Sequence, residues 1–205
     1  MRENSDMDAD MSPTGEDPDK TLPPLTALRC AMPVELYATM PVLGKLTRHR
    51  PQADEDNFDY LSRLRGSDTP EEAVTFTAFA ALPKMAIWWG YECLRVSEPG
   101  LSREDRAMLQ QIARWTAEPV SELRFDVMRA ALWAEHRTPT VLLGLALGWS
   151  GGPAAPNDPT PVPLQRCPRA INAAVLSSLA NNELARRPVL LGRFGELAVS
   201  MFRIY

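Results

Sequence analysis

The sequence predicts an all-α fold of stacked helical hairpins, about eight to ten short helices in one domain over residues 23–205, with a proline-rich loop packed on the surface. Three observations predict it. Apolar residues recur three and four apart and not in strict alternation, which marks a face that repeats with each turn of helix. The 19 prolines fall mostly between apolar runs, where they suit the first turn of a helix and would break its interior. Several runs open on Ser, Thr or Asp with acids behind them, as the unpaired N–H groups of a helix start require.

Residues 1–22 hold mostly Asp, Glu, Ser, Pro and Met, with Leu22 the single leucine. So little apolar surface cannot offset the entropy of ordering, and a disordered acidic tail is expected, with an acidic docking arm as the alternative. From Leu25 to Leu46, short apolar groups cut by Pro33 and Pro41 predict two or three brief helices. Phe58, Leu61 and Leu64 fall on one helical face behind Asp54, Glu55 and Asp56, and that helix stops near Gly66. The next start, Ser67 to Glu72, offers Asp68 or Thr69 as cap and Pro70 at the first helical position. Its helix, to Leu82, is apolar around most of its circumference and is expected to be central.

Pro83 restarts the chain into Met85 to Val96, again apolar nearly all round. A strand is the competing reading; the lack of alternation, the length and the Ser97-Glu98-Pro99-Gly100 stop argue for helix. Ser102 caps a helix to about Ala117, Pro119 precedes one with Leu123, Val127, Ala130, Ala131 and Ala134 at helical spacing, and Thr138-Pro139 opens the run Val141 to Trp149. Ser150 to Pro168 contains six prolines and reads as part polyproline II, pinned by Val162 and Leu164. Two helices close the chain. The first carries Ile171, Ala174, Val175, Ser178 and Leu179, and the second Phe194, Leu197, Ala198, Met201, Phe202 and Tyr205.

Charge and cysteine usage exclude several functions. Residues 1–20 carry seven acids against Arg2 and Lys20, a local −5 of the whole chain's −4, so the rest stands at +1. A nearly neutral body with no basic stripe argues against nucleic acid. The longest clean apolar stretch, Val141 to Trp149, is less than half of the roughly 20 residues that span a bilayer. Cys30, Cys93 and Cys167 are odd in number and far apart, which excludes a disulfide framework, and the acidic N-terminus is unlike a secretory signal; a cytoplasmic protein is expected.

The sharpest motif is Gly148-Trp149-Ser150-Gly151-Gly152, a letter-for-letter G-x-S-x-G. A nucleophile elbow needs a strand before the serine and a histidine after it, whereas here a helical run precedes and both histidines, His49 and His136, lie upstream. A helix end is the simpler reading, with Gly151 or Gly152 in the left-handed conformation and Trp149 buried beneath. His49, His136 and the cysteines lack ligand spacing, so no metal and no cofactor is expected. Glu135-His136 reads as a favourable cation near a helix C-terminus, and Glu71-Glu72 and Glu104-Asp105 as first-turn acids. Trp88 and Trp89 point about 100° apart on a helix, so at least one should be core and the other could meet a partner.

Leu82-Pro83 with Trp88-Trp89 downstream, then Gly148 to Gly152 and the stretch Pro161-Val162-Pro163, resemble an uncharacterised bacterial all-helical family, a domain of unknown function. The resemblance covers roughly residues 25–205. It implies a single-domain cytoplasmic protein without assigned activity, associated with type VI secretion gene neighbourhoods. The reading favoured is a non-enzymatic protein-protein interaction or accessory protein whose partner surface includes Trp88, Trp89, Trp149, Ser150, Gly151, Pro161, Val162 and Pro163. The alternatives are a ligand binder or enzyme with Ser150, His136 or Glu92 in a pocket between the Pro83 and Pro139 hairpins, and a structural homo-oligomer.

Overall fold

The computed structural model describes residues 26–97, 100–155 and 157–204, which form ten α-helices, one 3-10 turn and one two-stranded hairpin. The acidic tail, Glu98-Pro99 and Tyr205, about which the sequence makes predictions, lie outside the described residues. The fold is all-α. In chain order the helices are α1 (Pro33–Thr39), α2 (Leu43–Leu46), α3 (Asn57–Arg65), α4 (Glu71–Ala80), α5 (Pro83–Ser97), α6 (Arg103–Ala117), α7 (Ser121–Trp133), α8 (Pro139–Gly148), α9 (Arg166–Ala180) and α10 (Arg187–Phe202). Strands β1 (Pro153–Ala155) and β2 (Asp158–Pro161) join α8 to α9, and the 3-10 turn is Leu184–Arg186.

Three helices begin at the cap residue that the sequence offers. Asp56 accepts from the N–H groups of Phe58 and Asp59 at 2.7 and 2.8 Å, Ser102 from Asp105 at 3.0 Å, and Thr138, ahead of Pro139, from Val141 at 3.2 Å. At α4, where Asp68 or Thr69 was expected to cap, the cap position is Pro70 with no side-chain bond. Thr69 donates its hydroxyl to Glu72 Oε1 at 3.1 Å instead, and Asp68 is exposed beside His49.

Helices α4 and α8 form the middle of the molecule, with every residue from Glu72 to Ala80 and from Leu143 to Gly148 buried. Helix α9 packs on α4, α5 and α8, and α8 also meets α6 and α7. On α8, Gly144 and Gly148 face α7: a β-carbon on Gly148 would sit 2.5 Å from Met128 Cγ, and one on Gly144 3.2 Å from Ala131 Cβ. Glycine at these two positions is therefore what lets the two backbones approach. Trp89 is fully buried under α10, where its indole N–H donates to the Phe194 carbonyl at 3.1 Å.

The residues before α3 are tied to the rest by hydrogen bonds. Leu28 bridges Ala81, the Arg29 N–H donates to Ala80 O at 2.9 Å, the Leu82 N–H to Ala27 O at 2.8 Å, and the Thr26 N–H to Ile204 O at 3.1 Å. Deeper in, the hydroxyls of Tyr37 and Tyr60 lie 2.6 Å apart, and the buried Glu72 carboxylate accepts the N–H groups of Arg48 and His49 at 2.8 and 3.0 Å.

Between α8 and α9 the expected polyproline II is replaced by the hairpin, with Pro153 opposite Pro161 and Ala155 opposite Asp158. The prolines are tolerated because a two-stranded ladder has only edges, where a missing N–H faces no neighbour. Of the two expected pins, Val162 is half-buried but Leu164 is 65% exposed and pins nothing. Arg124 on β1 and the buried Cys167 and Pro168 in the first turn of α9 hold the segment instead. The cation serving the end of α7 is likewise not His136, which is exposed, but Arg137, whose guanidinium donates to Ala131 O at 2.6 Å and Leu132 O at 3.3 Å.

Candidate functional site

Helix α8 is too apolar to end in solvent, so its last turn stays covered while the chain reverses through Trp149 to Gly152. Gly152 takes the left-handed conformation, φ 69°, that the glycine pair suggests. Trp149 is half-buried, not covered as expected, and two hollows flank this turn.

The first is a groove of about 680 Å³ between α8 and α9. Leu142 and Leu145 form its floor, Trp149 and Pro163 one wall, and Arg166 and Arg169 its rim. The Arg166 guanidinium carbon lies 5.8 Å from the Trp149 ring centroid, a cation-π arrangement. Among the described residues neither arginine has a carboxylate within ion-pair distance.

The second hollow, of about 380 Å³, opens between the starts of α5 and α7 and is lined by Lys84, Trp115, Val120, Ser121, Arg124 and Ser150 among others. Arg124 is buried here. Its guanidinium donates to Gly148 O at 2.7 Å and Pro153 O at 3.2 Å and lies 4.2 Å from the Phe125 ring centroid. Burial pushes its pKa down, and no carboxylate offsets that among the described residues.

The residues singled out from the sequence are therefore partly gathered and partly scattered. Trp149 and Pro163 line the first hollow and Ser150 and Gly151 the second; the exposed Pro161 and half-buried Val162 follow the hairpin. Trp88 is half-buried in a neighbouring recess of about 260 Å³ with Met85, Thr116, Ile204 and Lys84, the last shared with the second hollow. Trp89 cannot meet a partner, because α10 covers the face on which it lies.

The three polar groups considered for a ligand pocket do not converge. Ser150 lines the second hollow, His136 is exposed past α7, and Glu92 is held by Arg95 at 2.6 Å. Ser150 also follows a helix, not a strand, so the elbow geometry is absent. Burial raises the thiol pKa of Cys93 and of Cys167, the latter to about 12, which suppresses the reactive thiolate. Among the described residues no group of three or more His, Cys, Asp or Glu is placed to hold a metal ion, and no helix is long and apolar enough to cross a membrane.

Two further surface features stand apart from these sites, the first of them one of the five tryptophans that the sequence offers for an aromatic pocket or partner face. Trp133, at the end of α7, is 86% exposed beside the exposed Leu132. A groove of about 600 Å³ runs between the starts of α4 and α10, with Arg65, Pro70, Leu184 and Leu191 in its lining. The signal for the second was present: Leu184, which lines it, is an exposed apolar residue outside the stripe through Leu190, Phe194 and Ala198.

The model of a protein family described as a family of unknown function (DUF6931) matches residues 60–202, more than two thirds of the chain. The chain belongs to that family. No curated protein and no solved structure matches it. The DUF6931 match runs from the middle of α3 to the end of α10, so the lining of both hollows, from Leu82 to Ala170, falls inside it.

Proposed function

We propose that this protein is a non-enzymatic interaction or accessory protein, and that the α8–α9 groove receives a partner protein's segment with an acidic side chain beside an apolar one. The observation that carries this reading is the pair Arg166 and Arg169, without carboxylate partners among the described residues, beside an apolar lining and a half-buried tryptophan. Two cations alone would be ordinary solvated surface. A tryptophan held by packing beside them adds apolar area that water does not wet well, and tryptophan and arginine are the residues that most often dominate binding energy. The resemblance to a family associated with type VI secretion neighbourhoods supports a place beside a secretion apparatus.

The test is capture of partners by the tagged full chain in its native host, with the wild type, Trp149→Ala and the double variant Arg166→Glu, Arg169→Glu compared. The reading expects a defined set of proteins to be lost from both variants while helical circular dichroism is unchanged, and the wild-type capture to weaken with added salt. An identical set captured by all three chains overturns it.

A further inference from the structure

The second hollow carries a separate inference, independent of the groove between α8 and α9. We infer that it binds a carboxylate borne on a small apolar body, supplied either as the C-terminal residue of a peptide or as a free short-chain acid. Arg124, 7% exposed, has no carboxylate partner among the described residues. A cation so far removed from water is ordinarily matched by an anion. Its two carbonyl acceptors, one of them the last of α8, use two of five N–H donors, and with the Phe125 ring they offset its charge only in part, with no anion among the described residues.

The start of α7 asks for the same ligand. Val120 stands at the cap position, where it can accept nothing, so the first N–H groups of this 13-residue helix receive no side-chain bond. Val120 and Ser121 line the hollow, and the positive end of the helix opens onto it. Among the described residues the hydroxyls of Ser121 and Ser150 make no hydrogen bond and Lys84 makes no ion pair. Glu118 and Glu122 are exposed and do not line it.

The remaining wall is apolar, from Leu82, Pro83, Trp115 and Pro119. One buried cation and one surface lysine match a monoanion, and apolar walls disfavour a fully hydrated dianion such as phosphate. A hollow of about 380 Å³ has room for one apolar side chain beside the carboxylate.

The test titrates the full chain with N-acetyl-leucine, N-acetyl-leucinamide, 4-methylpentanoate and inorganic phosphate, following the amide resonances of Ser121 and Gly151. Saturable shifts are expected with the two carboxylates, at a Kd on the order of 1 mM for ligands this small. The amide and phosphate should bind at least tenfold more weakly. The tighter of the two acids names the source: N-acetyl-leucine a peptide C-terminus, 4-methylpentanoate a free acid.

Because Arg124 also holds the turn, the decisive variant is Val120→Asp, which gives α7 its own carboxylate cap. It should keep or raise the melting temperature and weaken carboxylate binding at least tenfold. Arg166→Glu with Arg169→Glu should leave this binding unchanged, which separates its failure from failure of the groove. Absence of saturable shifts, equal binding of the amide or of phosphate, or wild-type affinity in Val120→Asp overturns the inference.

Discussion

Replacing Gly148 with alanine probes the approach of α7 to α8 beside the second hollow. The added β-carbon would lie 2.5 Å from Met128 Cγ, 2.6 Å from its Cβ and 2.7 Å from its Sδ, against the roughly 3.5–4.0 Å at which carbons sit comfortably. Rotating Met128 moves Cγ and Sδ but not Cβ, which is fixed to the α7 backbone, so α8 must shift. Alanine gains at most about 1 kcal/mol of helix propensity over glycine. Overpacking costs about 1–3 kcal/mol, and the shift also draws Gly148 O away from its 2.7 Å bond with Arg124, another loss of about 1–3 kcal/mol for a charged group.

The expected net destabilisation is about 3 kcal/mol, or roughly 6–12 °C in Tm for a chain of this size. Urea unfolding followed by circular dichroism should show a lower midpoint at unchanged slope. Met128→Gly, which removes the Cβ as well as Cγ and Sδ, should relieve the clash, so that the double variant is at least about 1 kcal/mol more stable than the sum of the single losses predicts. A Gly148→Ala protein as stable as the wild type, or strictly additive losses, refutes the steric reasoning.

Three further outcomes are expected. The Thr140 hydroxyl is buried without a hydrogen-bond partner among the described residues, so Thr140→Val should be neutral or stabilising by up to about 1–2 kcal/mol in the same urea assay, and a loss above 1 kcal/mol would show that the hydroxyl is used. Burial raises the pKa of Glu72, but the N–H groups of Arg48 and His49, with the His49 ring and Thr69, outweigh it and hold the carboxyl below its ordinary 4.5. The depressed value means that this stabilisation is present above pH 4.5 and lost as the pH falls through the folded value; Glu72→Gln should lower stability at pH 7 and flatten the decline in acid, and an unchanged acid profile counts against it. Trp89→Ala should cost about 3–5 kcal/mol because the side chain is fully buried, whereas Trp133→Ala, on a side chain 86% exposed, should stay within about 0.5 kcal/mol; comparable losses would contradict the burial.

Much of this fold was legible because its helices are punctuated. Asp56, Ser102 and Thr138 cap where their residue types say they should, and the all-round apolar α4 and α8 are the covered helices that such patterns imply. Local signals said less where tertiary contacts decide. Tyr60 is fully buried although its face was read as Phe58, Leu61 and Leu64, because its hydroxyl is satisfied by Tyr37 across the gap between two helices. The hairpin after α8 rests on pairing between prolines at positions 153 and 161, and proline-rich composition argues the other way.

For the candidate site, the turn from Trp149 to Gly151 was legible from its tryptophan and glycines. The charges that give each hollow its chemistry were not. Arg124, Arg166 and Arg169 look like any other surface arginines in the sequence, and only the packing removes the first from water and seats the second over an indole. Trp89 shows the reverse: an aromatic that reads as a partner anchor is spent on the contact with Phe194.

The hydrogen bonds from the first described residues to α4 and α10 decide how the protein can be cut. A fragment limited to residues 60–202, the span of the family match, would remove the Arg48 and His49 donors from Glu72, the phenol facing Tyr60, and the strip along Ala80 to Leu82. The severed piece would bare an acid and a tyrosine hydroxyl inside its own interior and should be prone to clumping. A shortened version meant for biophysics should retain everything from Thr26 onward, even though the homologous portion starts more than thirty residues later.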